Sequence, residues 1–275
     1  MKYFKLNNGV LMPAIGLGTF PMNNSLLVDT IHNAIEVGFN SFDTADAYKN
    51  EEYLGRGLEN CLKERKDIFM TTKLSNRQQR AGDVASALNQ SLKYLKLEYI
   101  DLYLMHWPNP QTFLDSWKQM EKLYKDGYCR AIGVCNFHQH HLKDLLSVAE
   151  IIPAINQIEI HPFLSQKPLI EFCKSLNIQV EAYAPLARMD LNLINNSTLV
   201  ALAKKYNKTV VQIILRWNYQ CGVITIPKTQ NKERLKENIS IFDFEISDND
   251  INLINQLNCD YRVRHNPDNC DFSKL

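Results

Sequence analysis

Residues 100–108 read Ile-Asp-Leu-Tyr-Leu-Met-His-Trp-Pro, and this stretch decides the fold. Its apolar run is typical of a strand that is buried on both faces. The run ends at His106, Trp107 and Pro108, and a proline cannot continue a β-ladder. The stretch therefore predicts an imidazole at the carboxyl end of a buried strand, which is where α/β folds usually place their chemistry.

A lone histidine at such a position is more often a satisfied core residue than a catalytic one. Two earlier strand-like runs favour a catalytic histidine, because they also end in polar residues: residues 39–43 end in Asp43, and residues 68–73 end in Lys73. The carboxyl ends of parallel barrel strands share one rim. We therefore expect Asp43, Lys73 and His106 to meet in one pocket.

Strand-like and helix-like segments alternate along the whole chain. A hairpin over residues 3–12 comes first, with Asn7-Asn8-Gly9 as its turn,. The predicted strands then cover residues 14–18, 39–43, 68–73, 100–106, 129–134, 155–158, 178–184 and 223–226. The predicted helices cover residues 26–38, 50–64, 81–96, 113–126, 141–149, 168–176, 197–206, 209–221, 231–238 and 248–257, and the helix over 50–64 places Leu54, Leu58 and Leu62 on one face.

Eight strand–helix units in a chain of 275 residues predict an α/β fold of the (β/α)8 TIM-barrel type, which needs about 250 residues,. We expect one domain over residues 1–275, with an N-terminal hairpin and additional C-terminal helices. A doubly wound open sheet is the alternative, but it usually has fewer strands and a glycine-rich first turn. Gly16-x-Gly18 could begin such a turn, yet Pro21 stands where its third glycine is required,.

Composition excludes several classes of function. The formal net charge of +1 gives no reason to expect binding to nucleic acid or to an anionic membrane surface,. The seven cysteines are scattered and form no Cys-x-x-Cys pair, which indicates reduced thiols rather than disulfides or a zinc site,. The first residues have no apolar signal core, and no apolar run is long enough to cross a bilayer. We expect a cytoplasmic protein.

The polar strand ends suggest acid–base chemistry. A tyrosine such as Tyr48, on the loop after Asp43, normally holds its proton up to a pKa of about 10. A nearby Lys73 ammonium, kept charged by Asp43, is expected to lower that pKa and to make Tyr48 a proton donor. His106 is placed to orient a carbonyl oxygen. No residue here supplies a hydride, but a nicotinamide cofactor would.

Other strand ends offer groups for such a cofactor. Tyr183 offers a flat face for a nicotinamide ring, and Asn136 and Gln157 offer amide groups for its carboxamide,. The loop after the last strand carries Lys228, Thr229 and Arg234, next to a predicted helix start that favours phosphate. These residues predict that NADP(H) is preferred over NAD(H).

The sequence resembles the aldo-keto reductases over nearly its whole length. The resemblance rests on seven stretches in order, which are Phe42-Asp43-Thr44-Ala45-Asp46-Ala47-Tyr48, Thr72-Lys73-Leu74, Leu104-Met105-His106-Trp107-Pro108, Ile132-Gly133-Val134-Cys135-Asn136-Phe137, Asn156-Gln157-Ile158-Glu159, Ala182-Tyr183-Ala184-Pro185-Leu186 and Ile226-Pro227-Lys228-Thr229. The short C-terminus is similar to the bacterial branch that includes diketogluconate and methylglyoxal reductases.

The resemblance implies a monomeric barrel that binds NADP(H) across its rim and reduces carbonyl compounds. It implies a catalytic tetrad with Tyr48 as the general acid, whose members are Asp43, Tyr48, Lys73 and His106. It also implies cofactor contacts, which we assign to Gly18, Thr19, Cys135, Asn136, Gln157, Tyr183, Ala184, Leu186, Lys228, Thr229, Arg234, Glu237 and Asn238. Substrate contacts are expected from Phe20, Trp107, His106 and the C-terminal tail.

Two positions depart from the family pattern, because Cys135 and Ala184 replace the usual serines. The first replacement changes a carboxamide contact, and the second removes a hydroxyl near the pyrophosphate. Neither replacement touches the tetrad.

Three other functions are compatible with parts of this sequence. His138-Gln139-His140-His141 could bind a metal, but its place after a strand indicates an ordinary helix start, and we expect no metal,. A non-enzymatic cofactor-binding subunit, like the potassium-channel β-subunits, would share the same motifs. A lens-crystallin-like structural role is also compatible with the fold. The complete tetrad favours an enzyme over both of these non-enzymatic roles. Glu159 and His161, which lie just beyond the sixth predicted barrel strand, are expected to be structural. The sequence does not name the substrate.

Overall fold

The protein is described by a computed structural model that covers residues 1–59, 61 and 63–275. Ten strands are present in this part of the chain, namely β1 (Tyr3–Lys5), β2 (Leu11–Pro13), β3 (Leu17–Gly18), β4 (Ser41–Asp43), β5 (Phe69–Leu74), β6 (Ile100–Met105), β7 (Cys129–Cys135), β8 (Ile155–Glu159), β9 (Gln179–Tyr183) and β10 (Ile224–Thr225). The α-helices are α1 (Leu26–Val37), α2 (Glu51–Glu59), α3 (Asn76–Ala81), α4 (Val84–Leu95), α5 (Phe113–Lys125), α6 (Gln139–Leu146), α7 (Lys167–Ser175), α8 (Leu191–Ile194), α9 (Ser197–Tyr206), α10 (Val210–Gln220), α11 (Lys232–Ile239) and α12 (Asp248–Asn255).

Strands β3 to β10 form one parallel eight-stranded sheet in chain order. Its two edges meet, because Ile15 forms a parallel bridge with Thr225 and the Gly16 N–H donates to the Thr225 carbonyl at 2.9 Å. The predicted (β/α)8 barrel is confirmed. The antiparallel pair β1–β2 precedes it, as the Asn-Asn-Gly turn predicted.

Strand β6 is buried on both faces, as its apolar run predicted. Leu102 and Leu104 pack inside the barrel with residues of the hairpin such as Met12, whereas Tyr103 and Met105 pack against the outer helices. Alternation along the strand therefore turns residue 106 toward the barrel interior, at the carboxyl-end rim. The hairpin covers the opposite end of the interior.

Several element boundaries differ from the predicted ranges by a few residues, and the start of α4 differs for a clear physical reason. The helix predicted from residue 81 begins at Val84, since Gly82 ends α3 in a left-handed conformation and the Asp83 carboxylate caps α4 by accepting from the Ser86 N–H at 2.9 Å. Helix α3 itself has no apolar face and was not predicted. The helix predicted over 50–64 is observed as α2, and Leu62 lies outside the described residues.

Three histidines stand at the start of α6, where the sequence predicted an ordinary helix start. The His138 N–H donates to Nδ1 of His141 at 3.1 Å, which satisfies a free backbone group before the helix,. The His138 ring contacts the Asp268 carboxylate at 2.8 Å, so this helix start also holds the C-terminal tail. His140, His141 and Asp268 come close enough together to be considered as metal ligands. The expectation of no metal stays a prediction.

Within the described residues, no helix combines the length and the apolarity that are needed to span a membrane.

Candidate active site

A cavity of about 1050 Å³ opens at the carboxyl-end rim of the barrel. The loops after β3, β4, β6, β7, β9 and β10 contribute to its wall, together with residues of the C-terminal tail. The predicted residues on its wall are Gly18, Thr19, Phe20, Asp43, Tyr48, His106, Trp107, Asn136, Gln157, Tyr183, Ala184, Leu186, Lys228, Thr229 and Arg234. Most residues that the sequence proposed for one pocket therefore do lie on one wall.

The Lys73 ammonium is fully buried behind this wall. Its Nζ donates to Oδ1 of Asp43 at 2.5 Å and to the Thr44 carbonyl at 2.8 Å, and it lies 3.4 Å from the Tyr48 hydroxyl. Burial is the largest single influence on Lys73 and lowers its pKa, but Asp43, Tyr48 and Cys135 together raise it by more, so that the pKa lies above its usual value. The lysine is therefore a fixed positive charge beside the tyrosine, as the sequence predicted.

The pKa of Tyr48 lies above its usual value, whereas the sequence argument expected it to be lowered. Lys73 does lower it, but burial acts more strongly in the opposite direction and raises the pKa of Tyr48 to about 12. A net downward shift was expected from the lysine alone, and that expectation was wrong because it ignored the desolvation of the phenol. Tyr48 thus keeps its proton at neutral pH and is a ready donor rather than a ready base.

His106 lies beside the tyrosine, with the two ring centroids 5.6 Å apart. Burial, followed by the positive charges of Lys73 and Arg264, holds the pKa of His106 well below its usual value. The imidazole is consequently neutral at physiological pH and can donate one hydrogen bond from an N–H. This state suits the orienting role that the sequence suggested.

Gln157 joins two carboxylates under the cavity. Its amide nitrogen donates to Oδ2 of Asp43 and to Oε2 of Glu181, both at 2.7 Å, and its oxygen lies 3.7 Å from the Cys135 sulfur. Burial and the Asp43 charge raise the pKa of Glu181 to about 8. Glu181 was not predicted, although it lies two residues before Tyr183 on the same strand, so period-two alternation points it inward.

Asn136 and Tyr183 contact each other at the neighbouring strand ends. The Tyr183 hydroxyl donates to Oδ1 of Asn136 at 2.7 Å, and Nδ2 of Asn136 donates to the His106 carbonyl at 3.0 Å. Asn136 and Ala184 both have left-handed backbones, with φ of 63° and 46°. Such angles are uncommon outside glycine and often accompany functional turns.

Some predicted residues do not reach the cavity wall. Cys135 is buried beneath Gln157, and Asn238 is buried within α11. The Glu237 carboxylate accepts from the Thr209 hydroxyl at 2.5 Å instead. Their assignment to the cofactor stays a prediction. Conversely, the sequence did not identify Arg188, Met189 and Arg264, which lie on the wall but come from irregular segments without a periodic pattern.

A proton donor, a buried cation and a neutral imidazole at one rim of a TIM barrel define an enzyme site of the acid–base type. The sequence matches the Aldo/keto reductase family over residues 14–259. The chain therefore belongs to this family, as its motifs predicted.

Comparison with individual proteins agrees with this assignment. Glyoxal reductase of Bacillus subtilis is 48% identical over 269 residues, covering 98% of this chain and 97% of the relative. Methylglyoxal reductase DkgA of Salmonella typhimurium is 41% identical over 266 residues, covering 96% of each chain. The structure of a Bombyx mori aldo-keto reductase in complex with NADP superposes with a TM-score of 0.90 at 37% identity, covering 97% of this chain and 96% of the other. The resemblance to methylglyoxal reductases is confirmed, and the match to named reductases favours the enzyme over the regulatory alternative.

Proposed function

We propose that this protein reduces aldehydes and ketones to alcohols with NADPH. The observation that carries the proposal is the buried Lys73–Asp43 pair, which holds a positive charge 3.4 Å from the Tyr48 hydroxyl on the cavity wall. Structural ion pairs are common, but this one lies beside a protonated phenol and a neutral imidazole. That combination suits the delivery of a proton to a carbonyl oxygen.

The residues on the wall fit NADP(H). Lys228 and Arg234 offer cationic donors for a phosphate, and the N-terminus of the eight-residue helix α11 lies between them,. Tyr183 and Asn136 lie near the catalytic end of the same cavity and offer a ring face and an amide to a nicotinamide. When bound, the cofactor supplies the hydride, which no side chain can provide.

The side chains of this chain orient the substrate, transfer the proton and stabilise the charge that develops. His106 donates an imidazole N–H to the carbonyl oxygen of the substrate and fixes its direction. As the carbonyl carbon is reduced, the oxygen gains negative charge and takes the phenolic proton of Tyr48. The Lys73 ammonium stabilises the tyrosinate that forms, and solvent later returns the proton. Asp43 keeps the ammonium in place.

Small dicarbonyl compounds are the first substrates to test, because two relatives are named as glyoxal and methylglyoxal reductases. The experiment is steady-state consumption of NADPH with methylglyoxal, measured by absorbance. We expect many turnovers for each enzyme molecule. A single slow turnover at most would contradict the proposal and would favour a regulatory protein that binds the cofactor.

A cytoplasmic monomer is part of the same proposal. The seven cysteines are free, which supports a reducing compartment,. Size-exclusion chromatography with light scattering tests the oligomeric state, and a stable dimer would contradict the monomer.

A further inference from the structure

Glu181 is a buried carboxyl group to which the proposed mechanism assigns no role. It lies on β9, in register with Gln157 of β8 on one side and with Ile224 of β10 on the other. Its Oε2 accepts from Nε2 of Gln157 at 2.7 Å, whereas its Oε1 has no hydrogen-bond partner among the described residues. Burial of an unpaired carboxylate oxygen is unfavourable, so this position favours the protonated form.

Gln157 connects this carboxyl group to the reacting groups. The same Nε2 donates to Oδ2 of Asp43 at 2.7 Å, and Oδ1 of Asp43 accepts from Lys73 at 2.5 Å. A side-chain amide has two N–H donors, and both are used here. The amide oxygen is therefore the group that Gln157 can offer to the cavity, whose wall it reaches. The two carboxyl groups together fix the orientation of this amide.

Charged groups from several strands face Glu181. Burial and the Asp43 carboxylate of β4 raise its pKa, while the hydrogen bond from Gln157 and the Lys73 ammonium of β5 lower it. The Cys135 thiol of β7 is neutral, because burial raises its pKa well above the usual value. The adjoining strand β10 has no titratable side chain. The pKa of Glu181 is about 8, so the group is protonated at neutral pH and can ionise after a modest change in its surroundings.

The two oxidation states of a nicotinamide differ in charge, because the oxidised ring is cationic and the reduced ring is neutral. The proposed function places this ring at Tyr183 and Asn136, and Gln157 lies on the same cavity wall. Tyr183 stands two residues after Glu181 on β9, so the two side chains point to the same side of the strand,. A cationic ring there favours the ionised form of Glu181, and a neutral ring does not.

We propose that Glu181 is a positioning residue whose ionisation is coupled to the oxidation state of the cofactor, so that it is protonated beside NADPH and releases its proton when NADP⁺ is bound. In this step the O–H bond of the carboxyl group breaks, the proton goes to solvent, and no electron is transferred. Glu181 does not reach the cavity wall and acts through the amide of Gln157. The inference rests on the proposed function, because it concerns the cofactor of that same site.

Coupling of this kind is reciprocal. If bound NADP⁺ favours loss of the proton, a higher pH favours the binding of NADP⁺, whereas the affinity for NADPH does not depend on this proton. The ratio of the two affinities isolates the effect, because the adenosine phosphate is common to both cofactors. Each unit by which NADP⁺ lowers the pKa of Glu181 corresponds to about tenfold in affinity. The change should be complete near pH 8, above which Glu181 is ionised in the free protein as well.

Fluorescence titration of the wild type with NADP⁺ and with NADPH, repeated across the neutral and mildly alkaline pH range, measures this ratio. We expect the affinity for NADP⁺ to rise about tenfold relative to that for NADPH as the pH increases to 8, and then to stay constant. Calorimetric titration at pH 7 in two buffers of different ionisation enthalpy counts the protons. NADP⁺ should release a large part of one proton per site, and NADPH none. A ratio that is independent of pH, or the absence of proton release, would overturn the inference.

Two substitutions assign the effect to Glu181. Glu181→Gln keeps an oxygen for Gln157 but cannot ionise, so its affinity ratio should be constant with pH and no proton should be released. Glu181→Asp should keep a pH-dependent ratio with a different midpoint, because the carboxyl group remains but is placed differently. Glu51→Gln is the matched control. It removes another buried carboxyl group whose pKa burial raises, but this group accepts from the Thr72 hydroxyl at 2.6 Å and does not reach the cavity wall. We expect it to titrate like the wild type.

The outcomes of these titrations separate the inference from the proposed function. A pH dependence that persists in Glu181→Gln, or that is lost in Glu51→Gln, would assign the proton to another group and overturn the inference. Should Glu181→Gln fail to fold, Glu181→Asp decides, since a midpoint equal to that of the wild type overturns the inference as well. Failure of the wild type to bind either cofactor would contradict the proposed function together with the inference. Binding of both cofactors with a constant ratio would contradict the inference alone.

Discussion

Tyr48 has the chemical surroundings of a proton donor rather than of a base. Its pKa of about 12 results from burial that outweighs the attraction of Lys73 for the tyrosinate. Two consequences follow for the rate. Carbonyl reduction needs the phenol, which is present throughout the neutral range, whereas alcohol oxidation needs the tyrosinate and should accelerate as the pH rises toward 12.

Replacement of Tyr48 by Phe removes the donor and keeps the ring. We expect kcat for carbonyl reduction to fall by about 10²–10⁴-fold, the usual contribution of a general acid. NADPH affinity should remain near the wild-type value, because the hydroxyl acts on the substrate. Steady-state kinetics and a fluorescence titration measure the two quantities. Tyr103→Phe, which removes a hydroxyl from the helix-facing side of β6, should leave kcat unchanged. Retention of most of the activity by Tyr48→Phe would refute the assignment.

Glu181 makes stability depend on pH. Its pKa is raised from 4.5 in the unfolded chain to about 8 in the folded protein. The folded state therefore binds more protons than the unfolded state between these values, so that its stability is full below pH 4.5 and is lost as the pH rises through 8. Among the described residues, Oε1 of Glu181 has no hydrogen-bond partner, which agrees with an unfavourable site for a carboxylate,.

Glu181→Gln should remove this loss of stability. We expect the free energy of unfolding of the variant to exceed that of the wild type increasingly from pH 4.5 to 8, by an amount on the order of a few kcal/mol. Urea unfolding at several pH values measures the difference. Glu171→Gln, on the exposed face of α7, should follow the wild-type curve. A constant difference across this pH range would show that Glu181 is ionised at neutral pH.

Among the secondary-structure elements, the first and last barrel strands are the shortest, with two residues each. They meet at Gly18, whose N–H donates to the Pro227 carbonyl at 3.1 Å. A Cβ at Gly18 would lie 2.8 Å from the Ile226 carbonyl oxygen. The sequence suggested a cofactor contact at this glycine, and the close approach of two backbones explains the residue independently of that contact.

Gly18→Ala should weaken the junction of these strands. We expect a loss of about 1–3 kcal/mol in the free energy of unfolding, typical of overpacking, together with weaker NADPH binding, because Gly18 lies on the cavity wall. Gly222→Ala offers a comparison, since its positive φ strains an added side chain in open space far from that wall,. It should lower stability and leave NADPH binding unchanged. Unfolding curves measure the stability of each variant, and cofactor titrations measure its NADPH affinity. A Gly18→Ala variant as stable as the wild type would contradict the close contact between its Cβ and the Ile226 carbonyl oxygen.

Periodic elements could be predicted from the sequence, and irregular ones could not. Strand β6 has apolar residues on both faces and an abrupt polar end, so its burial and the direction of His106 followed directly. Helix α3 reads Asn-Arg-Gln-Gln-Arg-Ala, which has no apolar period and looks like a loop,. The contact of Arg264 with Phe20 joins a tail to a distant loop, and such a contact has no local signal.

Across the whole molecule, the cavity brings together residues that are far apart in sequence. The loop after β3 meets the tail through Phe20 and Arg264, and the loop after β10 adds Lys228 and Arg234. Charge is distributed unevenly around this wall, with buried Lys73 and Asp43 at the centre and exposed cations on the loops. A large dinucleotide would contact several of these loops at once, so each loop can be tested separately.

The last prediction concerns the choice between NADPH and NADH. Lys228 and Arg234 are exposed on the cavity wall, and Asn231 caps α11 between them by accepting from the Arg234 N–H at 3.0 Å. Each charge-assisted hydrogen bond to a phosphate contributes about 1.5–3 kcal/mol, which corresponds to roughly tenfold or more in affinity. Two such contacts predict a preference for NADPH of about a hundredfold, which added salt should reduce.

Replacing both Lys228 and Arg234 by Met should therefore weaken NADPH binding by about a hundredfold and change NADH binding little. Fluorescence titration of each cofactor against the wild type and the double variant measures both affinities. The control is the double variant of Lys232 and Lys236, which removes two charges from the same helix at positions away from the cavity wall. It should keep the preference for NADPH, apart from a small general effect of the lost charge. Equal affinities of the wild type for NADH and NADPH would show that this loop does not recognise the additional phosphate.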